Sequence, residues 1–376
     1  MARIIELTDL SGAYASRLFV ESGHEVIRVE SNSRDSLRQR EPSLGSVDDG
    51  ESSAYHHFLN AGKKSLGLDI KSAPGRQIFL RLLAQADALI ANVPFAIEDA
   101  ALISANTKLV YTKIEDEEPD ICAMARSGLM SLTGQPEQSP MILGGDIAAL
   151  ATGIYVAVAT AAGLHSAKKT GKGAIVNVSL REALESFTEQ AMVEYKFSGV
   201  VTERRGSKGA ITAISGALPC KDGHWVISQI HRPGRWNKFV EWVNDAELAA
   251  DSSLAEEQNQ IIRRDFILER VLSWASQHGK NELVQEAQKR HFPASPVSTM
   301  LDLVDDPQLK ARGFLRRIDH RQFGTLTFPQ GAIATMRNSE IATASRFGEH
   351  NREILSRLGY SSSDQQSFAA SGAIQE

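Results

Sequence analysis

Short apolar runs alternate with helix-length segments from Ile4 to Ile114, and this alternation constrains the fold more than any other feature. The runs are Ile4, Ile5 and Leu7; Val26, Ile27 and Val29, ending in Glu30; Ser65 to Ile70; Asp87 to Asn92; and Leu109 to Ile114. Ser11 and Gly12 make a small-residue turn into a helix from Ala13 to Glu21, and Pro74 opens an amphipathic helix through Ile78, Leu82 and Leu83. A strand, a helix and a second strand within about thirty residues make a parallel βαβ unit. Repetition of the unit predicts an α/β fold with an open, doubly wound, mostly parallel sheet.

The pattern continues through an uncharged stretch from Ile147 to Ala167, the turn from Lys168 to Gly173, a strand from Ala174 to Val178 and a helix from Leu180. The uncharged stretch has the length of a bilayer span, but Ala, Gly, Thr and His165 leave it too weakly hydrophobic, so a buried helix and no membrane association are expected. Composition shifts after Ser198. Lys221-Asp222-Gly223 sits between apolar runs as a hairpin turn, and amphipathic segments follow at Trp236 to Val243, Ile261 to Trp274 and Glu282 to Gln288. These features predict a large domain over 1–198 completed by 330–376, and a smaller α+β domain with its linkers over 199–329. Glu349 to Leu358 reads as a helix, and the Ser/Ala/Gln-rich end from Ser361 to Glu376 reads as frayed.

A chain of 376 residues with 42% hydrophobic and 23% charged residues can bury large cores. Its formal charge of −5 argues against nucleic-acid binding through a bulk positive field. Cys122 and Cys220 cannot build a disulfide framework, and no apolar signal segment opens the sequence, so a cytoplasmic location is expected. There is no GxGxxG after the first strand, no Walker-type loop, no GxSxG elbow and no HExxH helix. His56 and His57 are adjacent, so their rings cannot share a helix face, and no metal site is expected.

The block Ile142-Leu143-Gly144-Gly145-Asp146 stands directly before the uncharged helix. Two glycines permit a sharp turn and close approach of a ligand, and Asp146 falls at the helix N-cap, where free N–H groups favour its anion. It reads either as a simple cap or as a carboxylate nucleophile for acyl transfer. Upstream, Pro119-Asp120 carries a second acid, which reads as a cap or, more simply, as a solvated charge in a stretch that also holds Glu115 to Glu118.

The string from Ser127 to Gly134, followed by Gly145-Asp146 and by Lys169 to Gly173, resembles the core of the family III CoA-transferases of the CaiB/BaiF type. The group includes formyl-CoA and carnitine CoA-transferases and α-methylacyl-CoA racemases. Blocks from Gly23 to Glu30, Asn60 to Ser65, Leu68 to Lys71 and Ala86 to Asn92 agree in order, as do Asp306 to Leu309, Arg312-Gly313 and Gly348 to His350. The resemblance implies an α/β large domain, a small domain and two subunits interlocked like links of a chain. It implies that Asp146 attacks an acyl-CoA thioester to give an aspartyl anhydride, which the released CoA thiolate converts to an aspartyl-CoA thioester before a carboxylic acid reverses the sequence. Gly144, Gly145 and Asp120 would surround that chemistry. Coenzyme A would act as a co-substrate, with no permanently bound cofactor, and the implied CoA contacts are Leu10, Ser11, Gly12, Leu68, Lys71, Asn92 and Val93.

Departures from the family pattern carry their own expectations. The basic residue often found after Glu30 is Ser31, so Arg34 or Arg38 would have to serve instead. No run of four glycines occurs from Arg204 to Gly216, which disfavours formyl or oxalyl transfer. Racemases of the group place a His before the acid matching Asp120; Pro119 stands there and cannot transfer a proton, which disfavours racemisation. A racemase or isomerase of the same fold, and a non-catalytic CoA-binding subunit paired with an active relative, stay open as alternatives to a homodimeric transferase. His231, Arg232, Arg235 and Trp236 read either as a carboxylate-facing wall or as a solvated helix start.

Overall fold

The computed structural model describes residues 1–31, 35–45, 51–93, 97–115, 118–206, 213–214, 216–232, 234–333 and 342–375. They form two compact units, the first from 1–129, 143–193 and 310–376 and the second from 130–142 and 194–309. Relative to a division at 198 and 330, the segment 130–142 falls in the second unit and 310–329 in the first.

The first unit is built on six strands: β1 (Arg3–Leu7), β2 (Glu25–Glu30), β3 (Lys64–Gly67), β4 (Ala88–Val93), β5 (Val110–Glu115) and β6 (Ala174–Ser179). They pair in the order β3-β2-β1-β4-β5-β6, and every pairing is parallel. This is the expected open, doubly wound sheet. Its helices include α1 (Leu10–Glu21), α2 (Ala54–Asn60), α3 (Ala73–Leu83), α4 (Asp99–Ala105), α5 (Asp120–Arg126) and α6 (Ile147–Thr170). Successive side chains on a strand point to opposite faces, so neighbours such as Ile4 and Ile5 feed different cores. Ile5, Ile27, Leu66, Leu89 and Tyr111 pack with Ile78, Phe79 and Leu82 of α3, whereas Ile4, Val26, Ile90 and Val110 pack with Phe19 of α1 and Val156 of α6.

Helices α1 and α6 cross closely because the contact is made by small groups. A Cβ at Gly153 would lie 2.6 Å from the Ser11 carbonyl oxygen of α1, and α6 lies equally close to β5, where a Cβ at Gly163 would lie 2.6 Å from Val110 Cγ1. By length and composition α6 could cross a membrane, yet it buries Ala148, Ala149, Thr152, Val156 and Thr160 inside the unit. The expectation of a buried helix holds for one face only. Ile154, Tyr155 and Val158 are exposed on the other, so its lack of charge exceeds what this core requires.

The C-terminal end is ordered rather than frayed. Ser361 and Asp364 form a capping box for a helix over Ser362–Ala370, Phe368 packs edge-on against Tyr360, and Ile374 is buried in the main core. The antiparallel hairpin Leu315–His320 with Gly324–Pro329 also belongs to this unit: Arg17 donates to the Pro329 carbonyl at 2.8 Å, and His57 meets His320 ring to ring. Those attachments span the chain and leave no local sequence signal.

In the second unit, Leu218–Cys220 and Gly223–Ile227 form the expected hairpin around Lys221-Asp222, and Ala294–Pro296 adds a third antiparallel strand. The helical stretch expected from Ile261 to Trp274 is broken at Arg263 into Glu257–Ile262 and Arg264–Ala275. Trp225, Phe239, Val271 and Leu283 form its core. Trp236 packs there too, so it offers no carboxylate-facing surface, and its apolar bulk explains the placement.

Candidate active site

Strand order reverses between β1 and β4, and in open α/β sheets the crevice beyond the carboxyl ends of such a pair receives ligands. The turn after β1 meets the end of β4 there: the Asp9 amide donates to Asn92 Oδ1 at 3.0 Å. Leu10, Ser11 and Gly12 form the first turn of α1, and Val93 closes β4 beside Glu115 of β5. Gly12 is required by packing, since a Cβ would collide with the Thr8 side chain. Ser11 is buried and, among the described residues, its hydroxyl has no hydrogen-bond partner. The fold therefore gathers five of the residues implied as CoA contacts at one sheet edge.

The remaining three are placed differently. Leu68 is fully buried in the main core, with its amide on the Glu30 carbonyl, and its side chain is closed to a ligand in this structure. Lys71 is exposed beyond β3, with its amide on Asp69 Oδ1 at 3.0 Å. Arg34 lies outside the described residues. Its alternative, Arg38, is not a free phosphate ligand: it is 1% exposed and bound to Glu30, Glu51 and the Ser345 carbonyl.

Asp146 occupies the N-cap position of α6, but its carboxylate makes no capping hydrogen bond. It forms an ion pair with the Arg40 guanidinium, and its negative charge bears on the nearby Tyr55 phenol. No capping bond supports the reading as a simple cap, because the side chain pairs with a cation instead. Gly145 allows this approach with a left-handed backbone at φ 73°, and a Cβ at either Gly144 or Gly145 would meet nothing within 4 Å. The space over these two glycines is open.

Asp120 lies in the first turn of α5, and its carboxyl is raised above the ordinary range by burial and by the negative charge of Asp146, with Arg40 opposing. Burial and the neighbouring Asp146 carboxylate likewise push the Tyr55 phenol up. Asp146, Asp120, Arg40 and Tyr55 thus form one electrostatically coupled group within the first unit.

Local structure fixes this group from below. Arg38 anchors its segment in the interior, and Leu37 packs with Leu10, Leu59 and Ala149. Ser53 ties two supports together: its hydroxyl caps α2, which carries Tyr55, and donates to the Arg40 carbonyl at 2.5 Å. Beneath lies a buried charge cluster, with Glu6 held below the ordinary carboxylate range because Arg28 and Lys63 overcome the upward effect of burial. Sequence reasoning identified Asp146 and Asp120 and missed Arg40 and Tyr55. Arg40 pairs across 106 positions, and the one local hint was the Arg38-Gln39-Arg40 alternation, which sends one guanidinium inward and leaves the other at the surface.

The first unit is thus a parallel α/β sheet with a glycine-preceded carboxylate at the start of a helix packed on it. Residues 2–351 match the family described as CoA-transferase family III, and the chain belongs to that family and is an enzyme of it. It is 27% identical over 382 residues to a succinyl-CoA:mesaconate CoA-transferase of Haloarcula hispanica, covering 95% of each chain. It is also 27% identical over 401 residues to the BbsE subunit of a succinyl-CoA:(R)-benzylsuccinate CoA-transferase of Thauera aromatica, covering 99% of this chain and 97% of the relative. A CaiB/BaiF family protein from Brucella suis shares the fold with a TM-score of 0.83 and 27% identity, over 95% of this chain and 98% of that one.

Proposed function

We propose that this chain moves CoA from an acyl-CoA thioester to a carboxylic acid through covalent intermediates on Asp146. The observation that carries the reading is the Asp146 carboxylate turned away from its own helix toward Arg40, next to two glycines with open space at their Cβ positions. The carboxylate attacks the thioester carbonyl and expels CoA thiolate, leaving an acyl-aspartyl anhydride. The thiolate attacks Cγ of that anhydride, releasing the donor acid as a carboxylate and leaving an aspartyl-CoA thioester. The acceptor carboxylate attacks Cγ, and the thiolate then takes the new acyl group, so no proton is gained or lost overall. Tyr55, whose phenol lies near Asp146, is the group assigned to stabilise the oxyanion that develops on Cγ.

CoA enters this reading as a co-substrate, with its pantetheine end directed to the crevice formed by Leu10 to Gly12 and Asn92. A succinyl donor is favoured, because both relatives described above are named for succinyl-CoA. A second subunit completes the reading. Exposed Ile154, Tyr155 and Val158 on α6 support association with another copy, and the subunit naming of the Thauera relative makes a related chain the other partner to test.

Incubation with succinyl-CoA alone, followed by peptide mass spectrometry, should place CoA or succinyl on the Asp146 peptide, and Asp146→Ala should abolish both the adduct and turnover. Full turnover by the alanine variant refutes the reading. Native mass spectrometry separates a homodimer active alone from a chain that needs a second subunit.

A further inference from the structure

The ion pair between Arg40 and Asp146 poses a problem for a nucleophile. A carboxylate held by a guanidinium is stabilised in its resting state, and a charge-assisted bond to an arginine costs nucleophilicity. The same pair becomes useful once the charge of Asp146 changes during turnover. As a free carboxylate Asp146 is an anion; as an anhydride or a thioester it is neutral. Acylation therefore strips Arg40 of its partner at the moment when an exchanging acid must present its own carboxylate to Cγ of Asp146.

The support of Arg40 fits a side chain that changes partners. Its backbone is fixed, through the Ser53 hydroxyl on its carbonyl and the buried neighbours Leu37 and Arg38. Its side chain is 39% exposed, and its guanidinium carbon lies 5.1 Å from the centre of the Tyr55 ring. Among the described residues, Asp146 is the carboxylate with which it forms an ion pair. Asp120 faces the same pair and adds a negative charge that disfavours an unaccompanied acid.

We propose that Arg40 is an exchangeable counter-ion, which pairs with Asp146 while that carboxylate is free and with the carboxylate of the entering or leaving acid while Asp146 is bonded to CoA. This rests on the nucleophilic role of Asp146 and deepens it by naming the residue that recognises the exchanging acid. No bond beyond those already described forms or breaks. A planar fork grips both oxygens of a carboxylate, so arginine is the fitting cation and lysine a partial substitute.

The test is succinate binding by calorimetry to the full chain. Asp146→Asn removes the charge and keeps the shape, mimicking the neutral state. It should bind succinate at least tenfold more tightly than the unaltered protein, and Asp146→Ala, as a second neutral variant, should do the same. Adding Arg40→Gln should remove the gain, and Arg40→Lys should restore part of it. Unchanged affinity in both neutral variants overturns the proposal. So does a gain that survives Arg40→Gln, which would mark a general loss of repulsion. The adduct experiment on the unaltered chain reports separately on Asp146, so failure of the nucleophile and failure of the counter-ion give different results.

Discussion

Arg38 and Glu30 form a two-bond ion pair in the interior of the first unit, Nε to Oε2 at 2.6 Å and Nη2 to Oε1 at 2.9 Å. Burial raises the Glu30 carboxyl, and Arg38 more than reverses that effect. The pair lies two residues from Arg40, so it acts as the anchor of the segment that faces Asp146. Arg38→Met leaves Glu30 buried without its main partner and should cost about 3–5 kcal/mol in urea unfolding. Adding Glu30→Gln should recover part of that loss. A single variant within about 1 kcal/mol of the unaltered protein would show that the pair is not an anchor.

The two glycines before Asp146 separate backbone strain from space for a ligand. Gly145 has φ 73°, so Gly145→Ala should cost about 1–2 kcal/mol of stability. Gly144 needs no left-handed backbone and has open space at its Cβ, so Gly144→Ala should leave the unfolding midpoint nearly unchanged. If the thioester approaches over that glycine, kcat/KM should nevertheless fall on the order of ten- to a hundredfold. Thermal melts and steady-state kinetics on the two variants check both halves, and equal activity in Gly144→Ala and the unaltered protein would move the approach to another side.

Legibility in the sequence followed the range of the interactions. The alternation of Ile4 and Ile5 onto opposite faces, and the Gly144-Gly145-Asp146 turn, are local patterns, so the parallel sheet and the candidate nucleophile could be read directly. Arg40 becomes a site residue only when the chain folds back on α6, and Leu68 looks like a ligand contact until Ile374 pairs with it from the far end of the chain. The capping box at Ser361 was readable in principle. Its polar composition masked it, because the main core against which Phe368 also packs is built mostly from distant segments.

Glu25 binds the end of β2 to two distant segments, accepting from Arg3 at 2.7 Å and from Arg357 at 2.8 Å, with Lys64 Nζ at 3.1 Å. Burial pushes its carboxyl up, but these three cations pull it from 4.5 to about 2. A carboxyl lowered by folding stabilises the native state above its unfolded value and loses that contribution as pH falls through its folded value. Glu25→Gln should therefore cost about 1 kcal/mol at neutral pH, and the difference from the unaltered protein should shrink between pH 4.5 and about 2. Urea midpoints of both proteins across that interval give the comparison, and a difference independent of pH would contradict it.

Asp120 tests the electrostatic unity of the site. Burial raises its carboxyl first, the Asp146 charge raises it further, and Arg40 works in the opposite direction. Between the ordinary aspartate value and this raised one, the native state binds more protons than the unfolded chain, so this group makes stability fall as pH rises. Asp120→Asn should abolish that contribution. Removing the neighbouring anion with Asp146→Asn should lower the Asp120 midpoint, and removing the cation with Arg40→Gln should raise it. Carboxyl-labelled aspartate followed by carbon NMR reads each midpoint directly. Opposite displacements in the two variants establish that Asp120 senses both charges, whereas a midpoint indifferent to Asp146→Asn would place the two carboxyls too far apart to share the chemistry proposed for them.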